Sequence, residues 1–493
     1  MTWWLLLQVA ALLAAVVFSY LWYSFTYWKR RGMPYVTMHF PMGIVWDVIC
    51  QRKSFAEAYE GPYKLSDQPV VGFFELHKPV LMIRDPNLIK EILIREFPSF
   101  HDRGLFIDEK VDPLSANLFF LKGARWRDLR AKLTPTFSSG KTRAMLPAVA
   151  ACGAELCALL RASPGGVAEV QDAAARFTTD VIATCAFGVQ GRSLAEPDSE
   201  FRRWGRKCFE PSAEVVLRNV LAFVLPAACS LLRVRTTPSG VTGFFRRLVA
   251  EAAAPRRSGA VRRADFLQLL VQLEGAAGAP GLTDDEIMAQ VFIFFLAGFE
   301  TSSTAITFCL YELALNGDVQ DRLRSEVEAT LGAHGGRLTH EAVQSMEYLD
   351  MVVSETLRKY PPLAFLNREC TRTYRMPGTS WHVEPGTSVV VSLLGLHRDP
   401  AHFPDPLRFD PERFSEQQRG RRPSCVYMPF GEGPRACVGM RFGLMQVKVG
   451  LILLLESFVF RPCERTSQPM VFDPKSFFLA PSSGMWLHLT PAK

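Results

Sequence analysis

One stretch carries more chemical constraint than the rest of the chain: Pro429-Phe-Gly-Glu-Gly-Pro-Arg-Ala-Cys-Val-Gly439. Gly431, Gly433, Arg435, Cys437 and Gly439 fall at alternate positions behind Phe430. Closely spaced glycines let backbone pass near a flat ligand, because no Cβ holds it off. An apolar helical pattern follows over 440–455. A cysteine just ahead of a helix N-terminus feels its positive pole, which favours thiolate over thiol. Arg435 adds a cation. A buried cysteine in a glycine turn is the ordinary alternative, but a turn needs no string of this length. A sulfur anion beside open backbone suits a thiolate-ligated haem.

A second group lies in Ala297-Gly-Phe-Glu-Thr-Ser302. Glu300 falls in an apolar run, where a carboxylate is costly unless it has a partner or a task. Gly298 costs helix propensity relative to alanine and opens space where a small ligand can sit. Thr301 shares its face at i, i+3 and offers a hydroxyl. Small residue, acid and alcohol together suit a proton relay beside an oxygen-binding pocket. A kinked helix with a satisfied glutamate is the structural alternative.

The element that must position this group is a long helix. Thr283-Asp-Asp-Glu286 reads as a capping box, and Asn316-Gly317 as the stop. The helix between them has about 33 residues, roughly 50 Å, and its apolar first half predicts burial. Trp126 and Arg130 sit at i, i+4 on another helix, where indole N–H and guanidinium suit a carboxylate. Glu355 and Arg358 sit at i, i+3, and Arg413 follows in a proline-rich loop. The three predict a structural ion cluster. A hairpin is expected over 70–83 with its turn near His77-Lys78-Pro79, and a helix over 86–95. The loop over 100–122, with Leu118, Phe119 and Phe120, reads as a lid or wall. Strand-like pieces over 387–393 and 477–489 complete a mainly α chain with small β-sheets.

Composition fits this organisation. The 493 residues are 48% hydrophobic and 21% charged, which is globular rather than disordered. Thirty-six phenylalanines point to a large apolar interior or cavity. The net charge of +7 comes without a long basic run, so a membrane surface or acidic protein is the expected partner and nucleic acid is not. Residues 1–28 contain no charged side chain, and Lys29-Arg30-Arg31 follows. The apolar run over 3–28 exceeds the roughly 20 residues that span a bilayer. Aromatic residues gather towards its ends, and the basic cluster predicts a cytosolic remainder. The expected division is a transmembrane signal anchor over 1–28, a basic, proline-bearing linker over 29–45 and one catalytic domain over 46–493. Residues 215–232 read as a segment that dips into the membrane or caps a cavity. Eleven cysteines without paired spacing predict reduced thiols.

Taken in order, these motifs resemble those of cytochrome P450, the haem-thiolate monooxygenases, from the N-terminal anchor to the last strand. Trp126 and Arg130, residues 297–301, Glu355 and Arg358, Pro411-Glu-Arg-Phe414 and the Phe430–Gly439 string carry the resemblance. Residues 294–303, 355–362 and 440–446 are most similar to arthropod microsomal enzymes of family six. Ala436 departs from the polar residue common at that position.

The resemblance implies heme b, iron protoporphyrin IX, with Cys437 as axial ligand. It implies Trp126, Arg130, Arg368, His397 and Arg435 as propionate partners, with Arg103 beside them. Phe430, Gly431 and Ala297 would border the cofactor. Thr301 and Glu300 would deliver protons on the oxygen-binding side. Phe119, Phe120 and Phe294, with Leu363, Phe365, Phe477 and Phe478, would line the substrate pocket. Glu355, Arg358 and Arg413 would be structural.

Electrons would come from NADPH through a flavoprotein reductase, NADPH–cytochrome P450 reductase, with cytochrome b5 as a further donor. Lys122, Arg125, Arg127, Lys132 and Lys448 are the expected reductase contacts. The location implied is the endoplasmic reticulum membrane, single-pass, and the substrates are lipophilic xenobiotics, lipids or terpenoids. Two alternatives keep the fold: an isomerase or dehydratase that uses no dioxygen, and a non-catalytic haem-binding protein. The Glu300-Thr301 pair argues against both, since neither needs a proton relay.

Overall fold

The structure is a computed structural model that describes residues 2–209, 226–235, 237–263, 265–274 and 281–492. The chain divides into two compact units. Unit 1 comprises Met1–Gly104, Ala364–Pro404 and Pro423–Arg435. Unit 2 comprises Leu105–Leu363, Asp405–Arg422 and Ala436–Lys493. Nine strands occur among the described residues. They are β1 (Val70–Glu75), β2 (Lys78–Ile83), β3 (Val167–Glu169), β4 (Phe365–Glu369), β5 (Tyr374–Arg375), β6 (His382–Val383), β7 (Ser388–Ser392), β8 (Phe458–Pro462) and β9 (Trp486–Pro491).

Unit 1 is built on a sheet of order β1-β2-β7-β4, antiparallel except where β2 meets β7. Every residue of β1 is buried, as expected of a strand covered on both faces. The expected hairpin is present, but its turn is Leu76-His77, and Lys78 and Pro79 already pair with Glu75 and Phe74. Two-residue hairpin loops demand left-handed backbone, and Leu76 supplies it at φ 52°. The expected helix over 86–95 forms as Pro86–Lys90 and then widens to a π-turn over Glu91–Arg95.

The N-terminal apolar helix is Thr2–Phe25, shorter than the expected span to residue 28. Trp28 is 1% exposed and donates its indole N–H to the Phe73 carbonyl at 3.0 Å. A Cβ on Gly72 would stand 2.5 Å from that indole. Trp28 is thus a core residue, and a glycine in β1 seats it. The supposed linker is also part of unit 1: Tyr35 bridges Gly72, Gly43 bridges Glu75, and Met33 and Ile44 are buried. Among the described residues, three helices are long and apolar enough to cross a membrane. Ser139–Arg161 and Asp284–Leu315 are substantially buried, whereas the N-terminal one is not buried at all.

Unit 2 is helical around the central helix, Asp284–Leu315. Its capping box forms as expected: Thr283 Oγ1 accepts from the Glu286 N–H, and the Glu286 carboxylate accepts from the Thr283 N–H. The helices Val170–Phe187 and Met440–Ser457 pack on it. A Cβ on Gly450 would meet the Phe177 ring at 3.0 Å and Ile306 at 3.3 Å, so a missing side chain lets three helices meet. A small sheet of order β3-β9-β8 completes the unit. The stretch expected to touch the membrane over 215–232 lies outside the described residues up to 225; Pro226–Leu231 is helical.

Candidate functional site

Cys437 stands two residues before Gly439, the N-cap of Met440–Ser457. Among the described residues no side chain caps that helix, so its positive pole is left to act on what precedes it. Cys437 is exposed, and none of the eleven cysteines forms a disulfide among the described residues. The helix Gly123–Leu133 carries Trp126, which is buried, and Arg130, which is half-buried. Burial lowers the Arg130 pKa and the Cys437 charge raises it, so this cation and sulfur lie within each other's field.

In the central helix the buried pattern is interrupted where the sequence places its acid and alcohol. Phe295 and Phe299 are buried, whereas Ala297 is exposed and Phe294, Gly298, Glu300 and Thr301 are partly accessible. Residues 294, 297 and 301 recur at helical spacing and form one stripe. The helix is unbroken there, and the Thr301 hydroxyl donates to the Ala297 carbonyl at 2.7 Å. Gly298 does not open space for a ligand as expected, because a Cβ there would meet Ile182 Cδ1 at 2.7 Å. Its missing side chain serves helix packing, and Ala297 leads the accessible stripe.

Two partners fix this turn, and neither was singled out from sequence. Gln446, fully buried, donates Nε2–H to the Gly298 carbonyl at 2.9 Å. Thr178 donates to the Phe299 carbonyl at 2.9 Å. Gln446 lies on the helix that begins after Cys437, so it ties that helix to the turn before Glu300. A polar residue inside an apolar helical run was the available signal. Burial raises the Glu300 pKa, and the Arg202 charge partly offsets it.

Unit 1 gathers a cationic cluster. Arg368 on β4 is 3% exposed; one guanidinium N–H donates to the Asn367 carbonyl at 2.8 Å, and its Nε has no hydrogen-bond partner among the described residues. Burial pushes its pKa down to about 10. A buried cation in this state fits an acidic ligand group such as a propionate. Arg435 donates to the His101 carbonyl at 2.8 Å and pairs with Asp102 at 3.4 Å. Arg103 donates to the Arg435 carbonyl at 3.4 Å. His397 is fully buried and its Nε2 accepts from the Met428 N–H at 3.0 Å, which leaves the ring proton on Nδ1. Phe430 and Gly431 follow on the same loop, and Gly431 and Gly433 need their glycines for φ 71° and 73°.

The ion cluster in unit 2 forms, but in the core. Arg358 holds Glu355 with two bonds of 2.6 and 2.7 Å, and both side chains are fully buried. Arg413 adds a contact at 3.4 Å, and the Asp410 N–H donates to Glu355 at 3.0 Å. Arg358 also donates to the Pro406 carbonyl at 2.9 Å, which pins the loop.

The aromatic residues divide. Phe119 and Phe120 are half-buried, on a loop fastened by buried Gln290, which accepts from the Leu118 N–H and donates to the Ala116 carbonyl. The Leu479 N–H donates to the Pro362 carbonyl at 3.2 Å, which joins the Phe477-Phe478 turn to the segment of Leu363. Phe478 lies 5.3 Å from Phe209, which lies 6.1 Å from Phe299. Phe294 stacks on Phe137 at 5.2 Å and meets Phe266 at 4.1 Å. Phe365 is buried in the core of unit 1, 4.1 Å from Tyr59. Lys448 is corrected as a reductase contact: its side chain is 5% exposed and paired with Asp350.

Residues 46–488 match the cytochrome P450 family model. The chain is 40% identical to cytochrome P450 6a8 of Drosophila melanogaster over 98% of both chains. It is 40% identical to cytochrome P450 6k1 of Blattella germanica over 95% of this chain and 94% of that one. A probable cytochrome P450 6a13 of Drosophila melanogaster is 44% identical over 85% of each.

Proposed function

This chain belongs to the cytochrome P450 family, and we propose that it inserts one oxygen atom of O2 into lipophilic small molecules with electrons from NADPH. The observation that carries this reading is the accessible stripe at 294, 297 and 301 between two buried stretches of the central helix, with the Glu300 acid beside the Thr301 alcohol. Haem bound through Cys437 would supply the iron and the electron-rich thiolate that favours O–O cleavage. Trp126, Arg130, Arg368, Arg435 and His397 would hold its acidic edge, and Arg368 has the strongest claim as a buried, incompletely partnered cation.

Thr301 donates its hydroxyl proton to the Ala297 carbonyl, so its oxygen is left as an acceptor that can hold a water or a protonated ligand oxygen in place for proton delivery. Glu300 is the proton source behind it, its proton affinity raised by burial above the ordinary carboxyl value. Gln446 keeps the Gly298 turn in register with the helix of Cys437. Phe119, Phe120, Phe478 and Phe209 present apolar surface, which favours lipophilic substrates of terpenoid, lipid or xenobiotic type. The exposed Lys122 and Arg127, with the partly exposed Lys132, suit an acidic reductase surface. The N-terminal helix followed by Lys29, Arg30 and Arg31 supports a membrane anchor with a cytosolic catalytic domain at the endoplasmic reticulum.

The test is expression with the reductase, followed by the ferrous–CO spectrum and NADPH-dependent turnover of a lipophilic panel. A thiolate-type CO band with reductase-dependent oxygenated product is expected. Absence of that band rejects the haem-thiolate assignment, and turnover without O2 or reductase moves the protein to the isomerase class.

A further inference from the structure

Two fully buried amide side chains, Gln290 and Asn117, hold the loop of Phe119 and Phe120, and the proposed oxygen chemistry uses neither. Gln290 lies four residues before Phe294, so it stands at the head of the helix stripe that continues through Ala297 and Thr301. Its Oε1 accepts from the Leu118 N–H at 2.9 Å, and its Nε2 donates to the Ala116 carbonyl at 3.0 Å. The same nitrogen donates to the Glu286 carbonyl one turn back at 3.1 Å, which fixes the amide's orientation. An amide side chain has an acceptor and a donor side, as a peptide group does, so Gln290 pairs with the loop as a neighbouring strand would. Asn117, between the two residues so held, turns its own amide into the loop. Its Nδ2 donates to the Leu114 carbonyl at 2.7 Å, and its Oδ1 accepts from the Phe119 and Phe120 N–H groups at 3.0 and 3.2 Å.

These bonds run without a break from the central helix to the backbone of the two phenylalanines, whose ring centroids lie 5.6 Å apart. The loop before them is fixed independently. Asp112 accepts from the Thr237 N–H at 2.8 Å, and the Ser115 hydroxyl donates to the Asp112 carbonyl at 2.7 Å. Loss of Gln290 would therefore release only the short stretch after Ser115. On the outer side Arg125 pairs with Glu109 and, at 3.3 Å, with Glu286, but its side chain is 53% exposed. An ion pair that open to water is worth little, so the buried amides carry the attachment. The ordinary task of such amides is to satisfy buried backbone. Here the task also sets where two aromatic rings stand relative to the accessible stripe, because Gln290 and the stripe share one helix face.

We propose that Gln290 and Asn117 are positioning residues for substrate selection: they fix Phe119 and Phe120 relative to the 294–297–301 stripe and so determine the size of molecule accepted there. This role rests on the reading of the two rings as a pocket wall. Neither amide touches the substrate. A wall held by buried bonds is preorganised, so a ligand that reaches it binds without the cost of ordering the rings. A ligand too small to reach the wall gains nothing from it.

The test uses the haem-loaded protein and needs no turnover. Imidazole, a small azole, and clotrimazole, which carries three aryl rings, are titrated by their shift of the Soret band. The ratio of their dissociation constants reports the wall. Gln290→Leu is expected to weaken clotrimazole about tenfold relative to imidazole, the order of what ordering two side chains costs in binding. Asn117→Ala should do the same. Asn117→Asp, whose carboxylate still accepts from the Phe119 and Phe120 amides, should restore most of the ratio. Gln290→Leu and Asn117→Ala should also melt lower, as they would if the amides were only structural; the ratio separates the two roles. Should Gln290→Leu not fold, the Asn117 variants decide. A ratio unmoved in the folded variants, or shifted in favour of clotrimazole, overturns the proposal. The double variant Phe119→Ala/Phe120→Ala tells the two failures apart. If it moves the ratio and the amide variants do not, the wall stands and the positioning role falls. If it leaves the ratio unmoved, the wall reading fails and the proposal falls with it. Absence of any Soret shift in the natural protein would instead reject the haem assignment.

Discussion

Two glutamates of unit 2, Glu300 and Glu355, are built for opposite ends. Burial raises the pKa of both. Around Glu355 that cost is answered by paired bonds from Arg358, the Asp410 N–H and the Arg413 charge. Glu300 has the field of Arg202 and a partly accessible face. A carboxylate whose acceptor sites are filled can only hold structure. One with sites to spare can exchange a proton, and its weaker anchoring is the condition for doing so.

That contrast can be broken first at Glu355. Glu355→Ala leaves Arg358 buried without its acid, a loss of about 3–5 kcal/mol in such pairs. We expect little folded holoprotein, measured as haem content and thermal melting; a normal melt would remove the structural role. Glu300→Gln should do the reverse, keeping the fold while lowering the rate of product formation by about 100-fold or more. Its melting should also sharpen the comparison. The Glu300 carboxyl titrates above its ordinary 4.5 in the folded chain, so its stabilising contribution is present below that pH and is lost as pH rises through the folded value. The variant should therefore melt no lower than the natural protein at pH 7, with its relative advantage shrinking towards pH 4.5.

Thr301→Ala should leave spectrum and stability intact and divert electrons from product into peroxide, measured as the peroxide-to-product ratio. Unchanged coupling would take Thr301 out of the relay. The smallest effect is expected at Arg368, whose burial is already unfavourable. Arg368→Met should change apo-protein melting little, since replacing a buried ion by an apolar side chain is often neutral, yet speed haem loss severalfold. Haem retention equal to that of the natural protein would remove it from the propionate set.

Much of this was legible in the residues. The capping box and the Asn316 stop bracket a central helix that forms as Asp284–Leu315. The spacing of Glu355, Arg358 and Arg413 announces their cluster, though an i, i+3 pair reads as a surface feature and here is wholly buried. The role of Gly298 was not legible: a missing Cβ looks the same whether a ligand or Ile182 occupies the space. Lys448 reads as an exposed base until Asp350 is seen across from it. Trp28 reads as the end of a membrane span until Gly72 is seen beneath its indole.

The chemistry available to this protein is written in its residues: one cysteine ahead of a helix, an acid–alcohol pair in an apolar run, and arginines of several separate elements. Local rules of capping, spacing and propensity act within a few residues, so one chain suffices to read them. Which of those groups are satisfied is settled by the packing of the folded chain. Whether Arg368 lacks an acid, whether Gln446 reaches the Gly298 carbonyl and whether Arg202 serves Asp172 depends on side chains tens to hundreds of residues apart. Burial is a property of everything that surrounds a residue, and it separates the glutamate that holds the fold from the one placed to give up a proton.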